Sequence, residues 1–581
     1  AMKARVFDPA PLPEEESELA LVRSWVEKGG GLVASGLGWG WRQTHGDAPI
    51  TEHPGSRLLA PFGIVFGDGH LDRSKGGAFK VEECSPFLNA AVALGALADR
   101  GPGGAEQPLA CESVVRAAVT LPASDRLLRP RIAELAKKSP APVPSPERPV
   151  ATKDALARLL VALDVCAART APPAALEASP AASTFPGAVA VETPRVTETV
   201  LLDASARGWL STGLYAAPGE KVTVTLPADW VGKGLKLRIG AHTDELWGHE
   251  KWTRSPAVSR SFALGEATTT VASAFGGLVY VEAGAVRRRG RLDVKIAGAV
   301  RAPRFVAGST TLGEWRDTLR GLDAPWAELE AKHVILTVPS SVVRSLDDPG
   351  ELLAFWEKGV EAAFALAARP LPLRPERYVT DVAISAGYMH SGYPIMTHLD
   401  VAPVMVDLEK LAKNSHGGVW GFWHELGHNL QESEWTFEGT GEVTNNVFAL
   451  HVMEKVHSVP LSRSHDALAS RPRLERAKKF KEAGRPFARW KEDPFLALET
   501  YIRLLGAFGW DSFRAVFKKY RELPATARPL DDAAKRDLFC ELFSREVQHD
   551  LGPFFEAWGV PISAAARAKT KDLPVFVGGG P

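Results

Sequence analysis

The stretch Gly421-Phe422-Trp423-His424-Glu425-Leu426-Gly427-His428-Asn429-Leu430 decides how this chain is read. Apolar Val419, Phe422, Trp423 and Leu426 surround it and predict a helix with a buried face. On that helix His424 and His428 lie one turn apart on one face, so both can aim an imidazole nitrogen at a single metal ion. Glu425 is one step round, close enough to reach a water beside that ion. His-Glu-x-x-His on a helix is the spacing that holds zinc between two histidines and uses the glutamate as a general base. Such a centre takes three protein ligands and keeps one position open for a water whose pKa falls to about 7.

The third ligand lies downstream among Glu432, Glu434, Glu438 and Glu442. Glu442 is the best placed, in Gly439-Thr-Gly-Glu442-Val-Thr-Asn445-Asn446, which reads as a glycine turn opening a second helix with Thr440 as N-cap. A carboxylate on the first turn of an antiparallel second helix closes the site from the opposite side. Glu432 and Glu434 follow too soon to swing round, and Glu438, in the loop, is the runner-up. An ordinary helix face is the bland alternative. The glycine-broken turn and the second helix opening on a glutamate favour the metal.

His424-Glu-Leu-Gly-His428-Asn-Leu-Gln431, Trp435-Thr-Phe and Gly439-Thr-Gly-Glu442-Val-Thr-Asn445-Asn446 together resemble the signature of enhancin-like, mucin-degrading zinc metallopeptidases, a gluzincin type related to the TRP channel-associated factors of animals. The segments Gly387-Tyr388-Met-His390-Ser-Gly392-Tyr393-Pro394-Ile395, Phe508-Gly509-Trp510 and Asp550–Gly559 carry the resemblance further, over roughly residues 195–575. It implies one catalytic Zn2+ and an endopeptidase acting on glycoproteins, often O-glycosylated mucin-type ones. It offers Tyr393, Tyr388 and His390 as candidates for the oxyanion donor, unranked. Asn445 and Asn446 are expected one shell outside the metal, Asn445 steadying Glu442 or the substrate. Trp435 is read as a sugar platform or a core residue, both open. His398, His416, His451 and His549 receive no role. Two rival readings remain: a general, glycan-independent metallopeptidase, and a non-catalytic interaction protein on a peptidase fold.

The 581 residues suggest three or four domains. Hydrophobic residues are 45% and charged residues 24%, ordinary for a soluble globular protein. The 69 basic and 69 acidic residues cancel, which argues against nucleic acid or an acidic membrane surface as partner. No apolar run reaches the length of a membrane span. The opening Ala1-Met2-Lys3 suggests an artificial start with a natural leader cut away; the expectation is a secreted or cell-surface bacterial protein. Four cysteines are too few for a disulfide framework. Cys84, Cys111 and Cys166 leave room for one disulfide, and Cys540 reads as a buried thiol.

In chain order the expected fold is multidomain α+β. Residues 1–84 read as an α/β domain resembling the amidotransferase-like domain of the channel-associated relatives, and with no Cys-His-Glu catalytic set it is expected to be inert. A helix at Leu19–Val26, a glycine C-cap at Gly29-Gly30-Gly31 and a strand at Gly31–Gly36 are expected there. Trp39 and Trp41 alternate, so they could share one face, as a core pair rather than a sugar platform. Residues 85–170 read as a helical unit and 171–195 as a Pro/Ala-rich linker. Short β-prone runs from 196 to 305 read as a β-sandwich, in which His242 and Asp244 form a hydrogen-bonded loop. Residues 306–581 read as a mainly helical, zincin-like catalytic domain in which the strand and loop around Tyr388–Ile395 provide an edge for extended substrate.

Overall fold

The computed structural model describes residues 15–34, 36, 38–45, 50–62, 64–67, 85–98, 106–121, 125–138, 140–284, 286, 288–413, 419–578 and 580. The chain forms two compact units, one of residues 1–185 with 246–258, the other of 186–245 with 259–581.

The first unit is mainly helical where it is described, with one short antiparallel pairing of Val150–Ala151 and Lys251–Trp252. Helices at Ala90–Ala98, Gln107–Thr120, Arg129–Lys138 and Ala155–Thr170 bury Leu94, Val114, Ile132, Leu159 and Leu163 together. This is the helical unit expected for 85–170. Upstream, helix Glu16–Glu27 ends at a glycine cap, with Gly29 at φ +88° and the Gly30 N–H donating to Trp25 O. The strand expected at 31–36 is corrected: residues 31–34 join no strand, and Val33 is 97% exposed. Gly38–His45 is a helix, so residues 39 and 41 do not share a face as they would on a strand; Trp41 stacks on His45, one turn on. The expected linker also begins late. Leu176, Ala181, Ala182 and Phe185 are buried, and Ser179 Oγ donates to Asp164 at 2.6 Å, so residues up to 185 belong to this unit's packing. Cys111 and Cys540 are buried thiols, the latter pushed up to about 12 by burial, and Cys84 lies outside the described residues.

The second unit begins with the sandwich. Its strands are β1 (Val196–Asp203), β2 (Trp209–Ala216), β3 (Lys221–Thr225), β4 (Lys236–Ile239), β5 (Arg260–Ala263), β6 (Thr268–Ala272), β7 (Gly277–Glu282) and β8 (Arg291–Arg301). They pair antiparallel in the order β5-β4-β7-β2-β8-β3-β6, with β1 also on β8. The long strand β8 pairs with β1 from Arg291 to Ala299, with β3 from Lys295 to Ala297 and with β2 at Val300 and Arg301, so one strand serves both layers. Val222, Val224, Leu237, Ile239, Val279, Val281, Val294 and Ile296 alternate inward and fill the space between the layers.

A six-stranded mixed sheet follows, in the order β9 (Arg304–Val306), β10 (Trp326–Glu330), β11 (Val334–Pro339), β12 (Glu376–Asp381), β14 (Ile395–His398) and β13 (Met389–His390). The short β13 is antiparallel to β14 and forms the edge. Helices α1 (Pro349–Leu366) and α2 (Val419–Leu430) pack on it, α3 (Gly441–Lys455) packs on both, and α4 (Pro494–Glu522, broken at Gly509) and α5 (Asp532–Val547) build outward from these. Trp356 of α1, Tyr378 of β12 and Phe422 and Trp423 of α2 meet in one aromatic cluster with ring centroids 5.0–6.0 Å apart. Tyr378 Oη donates to the Phe422 carbonyl at 2.9 Å, fixing α2 over the sheet. The sandwich and this sheet share a buried ion pair. Arg377 of β12 pairs with Glu328 and donates to Trp209 O at 3.2 Å and Ser211 Oγ at 3.0 Å on β2.

Candidate metal centre

Helix α2 buries Val419, Phe422, Trp423, Leu426 and Leu430. Its other face carries His424 and His428, whose rings stand edge to face at 4.8 Å. Helix α3 crosses close by, because a Cβ at Gly427 would lie 2.3 Å from the Asn445 carbonyl oxygen. Any side chain there would push the helices apart. That close approach places Glu442, on the first turn of α3, against the two rings. Its Oε2 lies 3.1 Å from His424 Nε2 and 3.3 Å from His428 Nε2. Thr440 occupies the N-cap position, but its hydroxyl donates to the Phe437 carbonyl instead of capping the helix.

The outer nitrogens of the rings are both held. Asn446 Nδ2 donates to the Glu442 carbonyl at 2.8 Å, and Trp420 Nε1 donates to Asn446 Oδ1 at 3.0 Å. The amide is thereby oriented with its oxygen toward His424, whose Nδ1–H donates to it at 2.7 Å. Gln431 Nε2 donates to Gly441 O at 2.8 Å and Thr444 Oγ1 at 2.5 Å, turning Oε1 toward His428 Nδ1 at 2.8 Å. With each proton on Nδ1, each Nε2 keeps a lone pair, and both lone-pair nitrogens converge with a carboxylate oxygen. Two imidazoles and one carboxylate fit a catalytic zinc site.

The other acidic candidates have partners elsewhere. Glu432 pairs with Arg369 at 2.6 Å, Glu434 with Arg528 at 3.0 Å, and Glu438 with Lys491. The imidazoles of His424 and His428, 3.1 and 3.3 Å away, hold the Glu442 carboxyl well below the usual carboxylate range. Burial works to lower His428, but the Glu442 carboxylate, together with Gln431 and Glu425, outweighs it and raises the imidazole. Glu425, 6% exposed, is raised by burial, as a proton-accepting carboxylate near neutral pH requires; its Oε1 lies 3.8 Å from His424 Nε2.

The flanking candidates land differently. Asn445 is fully buried beneath the rings, Nδ2 2.9 Å from His428 Nε2 and 3.0 Å from His424 Nε2, so it contacts the ligand histidines rather than a substrate. Trp435 is also fully buried, packed on Phe517 at 4.7 Å and Tyr520 at 5.4 Å; of the two readings the core one holds. Tyr393 is corrected as an oxyanion donor. Its ring packs edge-on against Trp209 under the Arg374 guanidinium, and its hydroxyl is buried beside Gly208 and Arg377. The exposed Tyr388 donates its hydroxyl to Asp400 at 2.8 Å and stacks on His398. His390 uses both nitrogens, Nε2 on Asp244 Oδ2 at 2.7 Å and Nδ1 on Ser391 O at 2.9 Å. Its electrostatic field reaches Glu425. His416 lies outside the described residues.

Asn446 stands one shell outside the ligands as expected; Asp244 and the amide of Gln431 are the parts the sequence hid as site residues. Asn446 and Gln431 have a local signal, since each follows a ligand within four residues. Asp244, 146 positions from His390, has none.

Residues 298–559 match the profile described as Peptidase M60, enhancin and enhancin-like, and residues 191–297 match the N-terminal domain of M60-like peptidases. Among curated proteins, the chain is similar to the TRPM8 channel-associated factor homolog of Xenopus laevis, 34% identical over 576 residues, 97% of this chain and 61% of that protein. The human TRPM8 channel-associated factor 2 is 34% identical over 581 residues, 96% and 61%. The chain therefore spans about three fifths of the length of these relatives. Among solved structures, the IMPa metallopeptidase from Pseudomonas aeruginosa aligns with TM-score 0.55 and 18% identity over 82% of this chain and 63% of that one, and it has also been solved in complex with an O-glycopeptide. A conserved Bacillus anthracis protein of unknown function aligns with TM-score 0.52 and 22% identity over 66% and 80%. At these identities the likeness is one of fold. The two adjoining profile matches cover residues 191–559, and through them the chain belongs to the M60 family of enhancin and enhancin-like peptidases.

Proposed function

We propose that the chain is a zinc-dependent endopeptidase that cuts glycoproteins, with O-glycosylated mucin-type proteins as the substrate class. One observation carries the catalytic reading. His424 and His428 spend Nδ1 on Asn446 and Gln431 and turn both Nε2 atoms toward Glu442 Oε2. His424, His428 and Glu442 would hold the ion. Zinc bound there supplies Lewis-acid chemistry, lowering the pKa of water and polarising a carbonyl. Glu425 does the proton work: its carboxylate takes the proton of the attacking water and returns it to the leaving amine, and burial raises its basicity for that task. Asn446 and Gln431 keep the ligand imidazoles in the right tautomer.

The glycan part of the reading rests on the fold shared with a metallopeptidase that has been solved with an O-glycopeptide. Such substrates lie outside cells, which supports a secreted or cell-surface location. A binding-protein reading draws on the names of the channel-associated relatives. A scaffold that only binds has no need of a buried carboxylate beside two lone-pair imidazoles.

The test is incubation with an O-glycosylated mucin and its enzymatically deglycosylated twin, each with and without a zinc chelator. Cleavage of the glycosylated form alone, lost with chelator, is expected. Cleavage of both forms would establish the glycan-independent peptidase. Cleavage of neither by zinc-loaded protein would favour the binding protein.

A further inference from the structure

Asp244 stands in the loop after β4 of the sandwich and is 8% exposed. Its Oδ2 accepts the backbone N–H of Ser385 at 2.6 Å and the His390 Nε2–H at 2.7 Å. Ser385 Oγ lies 3.2 Å from the same His390 nitrogen. One carboxylate thus ties the start of the 385–390 loop to its end, where β13 begins. The strand's other face is tied to the catalytic helix. A Cβ on Gly421 would lie 2.8 Å from Met389 Sδ, and Asn429 both accepts from Gly392 N at 2.9 Å and donates to Gly392 O at 3.0 Å. Successive strand residues point to opposite faces, so Met389 turns to α2 and His390 to the sandwich. The edge strand is clamped from both sides, and His390 has neither nitrogen left for a substrate.

We propose that Asp244 is a positioning residue: through His390 and Ser385 the sandwich sets the edge strand β13 on which an extended peptide substrate is laid. Peptides add to an exposed edge by main-chain hydrogen bonds, which need the strand backbone held at a fixed distance and register. This inference rests on the peptidase reading above. It makes the N-terminal M60-like segment part of the substrate site rather than a spacer, and it takes the three ligands and Glu425 as they stand.

The test uses the full chain loaded with zinc and a fluorogenic O-glycopeptide, comparing wild type with Asp244→Ala, His390→Gln and the double variant. Asp244→Ala removes the one oxygen that accepts from both Ser385 and His390, and His390→Gln removes the imidazole while leaving the carboxylate in place. The expected result is a KM raised about tenfold in each single variant, kcat within about threefold, zinc content unchanged, and a double variant no worse than either single. Amide hydrogen exchange at 388–392 should quicken about tenfold in the same proteins. Unchanged KM with unchanged exchange would overturn the proposal, as would a fall in kcat alone, which would make His390 part of the chemistry. If the wild type cleaves nothing, the peptidase reading fails by itself, and the exchange measurement still decides whether Asp244 holds the strand.

Discussion

Among the described residues of the second unit, two clusters of histidine and glutamate could gather around a metal: His424, His428 and Glu442, and His333, Glu357 and Glu361. Their compositions are alike and their wiring is opposite. In the second cluster Glu357 Oε1 accepts the backbone N–H of His333 at 2.6 Å, and Oε2 accepts its Nδ1–H at 2.8 Å. The carboxylate is spent on one residue, and the pair stitches the start of β11 to α1. In the first cluster neutral amides take the ring N–H groups, so the carboxylate and both Nε2 atoms face one another. What separates a metal centre from a structural staple is the partner given to the far nitrogen of each imidazole, more than the count of ligand-type side chains.

That contrast can be broken at several places. The largest effect is expected from removing a ligand. His428→Ala should leave about a tenth of an equivalent of zinc or less after dialysis, read by metal analysis, and abolish activity. Metal content kept at one equivalent would move the site elsewhere, with His333 the next place to look.

The next effect concerns the scaffold of α2. Trp423 Nε1 donates to His457 Nε2 at 2.9 Å, and burial pushes that imidazole down to about 4. Its folded pKa lies below the unfolded value of about 6.5, so the unfolded chain binds the proton more tightly between those values. Stability should therefore fall as pH drops through about 6.5 and lose about 3 kcal/mol from this group by pH 4. Denaturant titrations of wild type and His457→Gln at pH 7 and pH 4 should show a smaller difference between the two pH values in the variant. Equal pH slopes would show that His457 does not carry the acid sensitivity.

Asn446→Ala, which frees His424 Nδ1 and the Glu442 carbonyl while removing no ligand, should weaken zinc binding about 10–100-fold in a chelator competition. The smallest effect on metal belongs to the second cluster. His333→Ala should cost about 1–2 kcal/mol of stability in denaturant melts and leave zinc content unchanged. A loss of zinc there would erase the distinction between the clusters.

How much of this was legible follows from sequence distance. His424, His428 and Glu442 lie within 19 residues and obey helix geometry, so their meeting was written in the spacing. Gln431 and Asn446 share that neighbourhood. The helical unit at 85–170 and most sandwich strands were legible because their apolar spacing is regular. The strand Trp209–Ala216 was not, since Ser211, Thr212 and Gly213 interrupt its apolar pattern, and its register on β7 shifts there. Trp435 could not be placed because the same indole suits a sugar or a core, and only Phe517 and Tyr520, more than 80 residues on, decide. Tyr393 matched by side-chain type and failed by direction, because Trp209 of the sandwich draws its ring away. Asp244 shows the same limit from the other side, a polar loop residue whose partner is fixed by how the sandwich meets the edge strand.

The most direct test of the account is to load wild type and Glu425→Gln with one equivalent of zinc, verify the metal in each, and follow cleavage of an O-glycosylated mucin. The account predicts that both bind zinc alike, that the wild type cuts, and that the variant is slower by at least about 10³-fold. A zinc-loaded Glu425→Gln that cuts at the wild-type rate would contradict it.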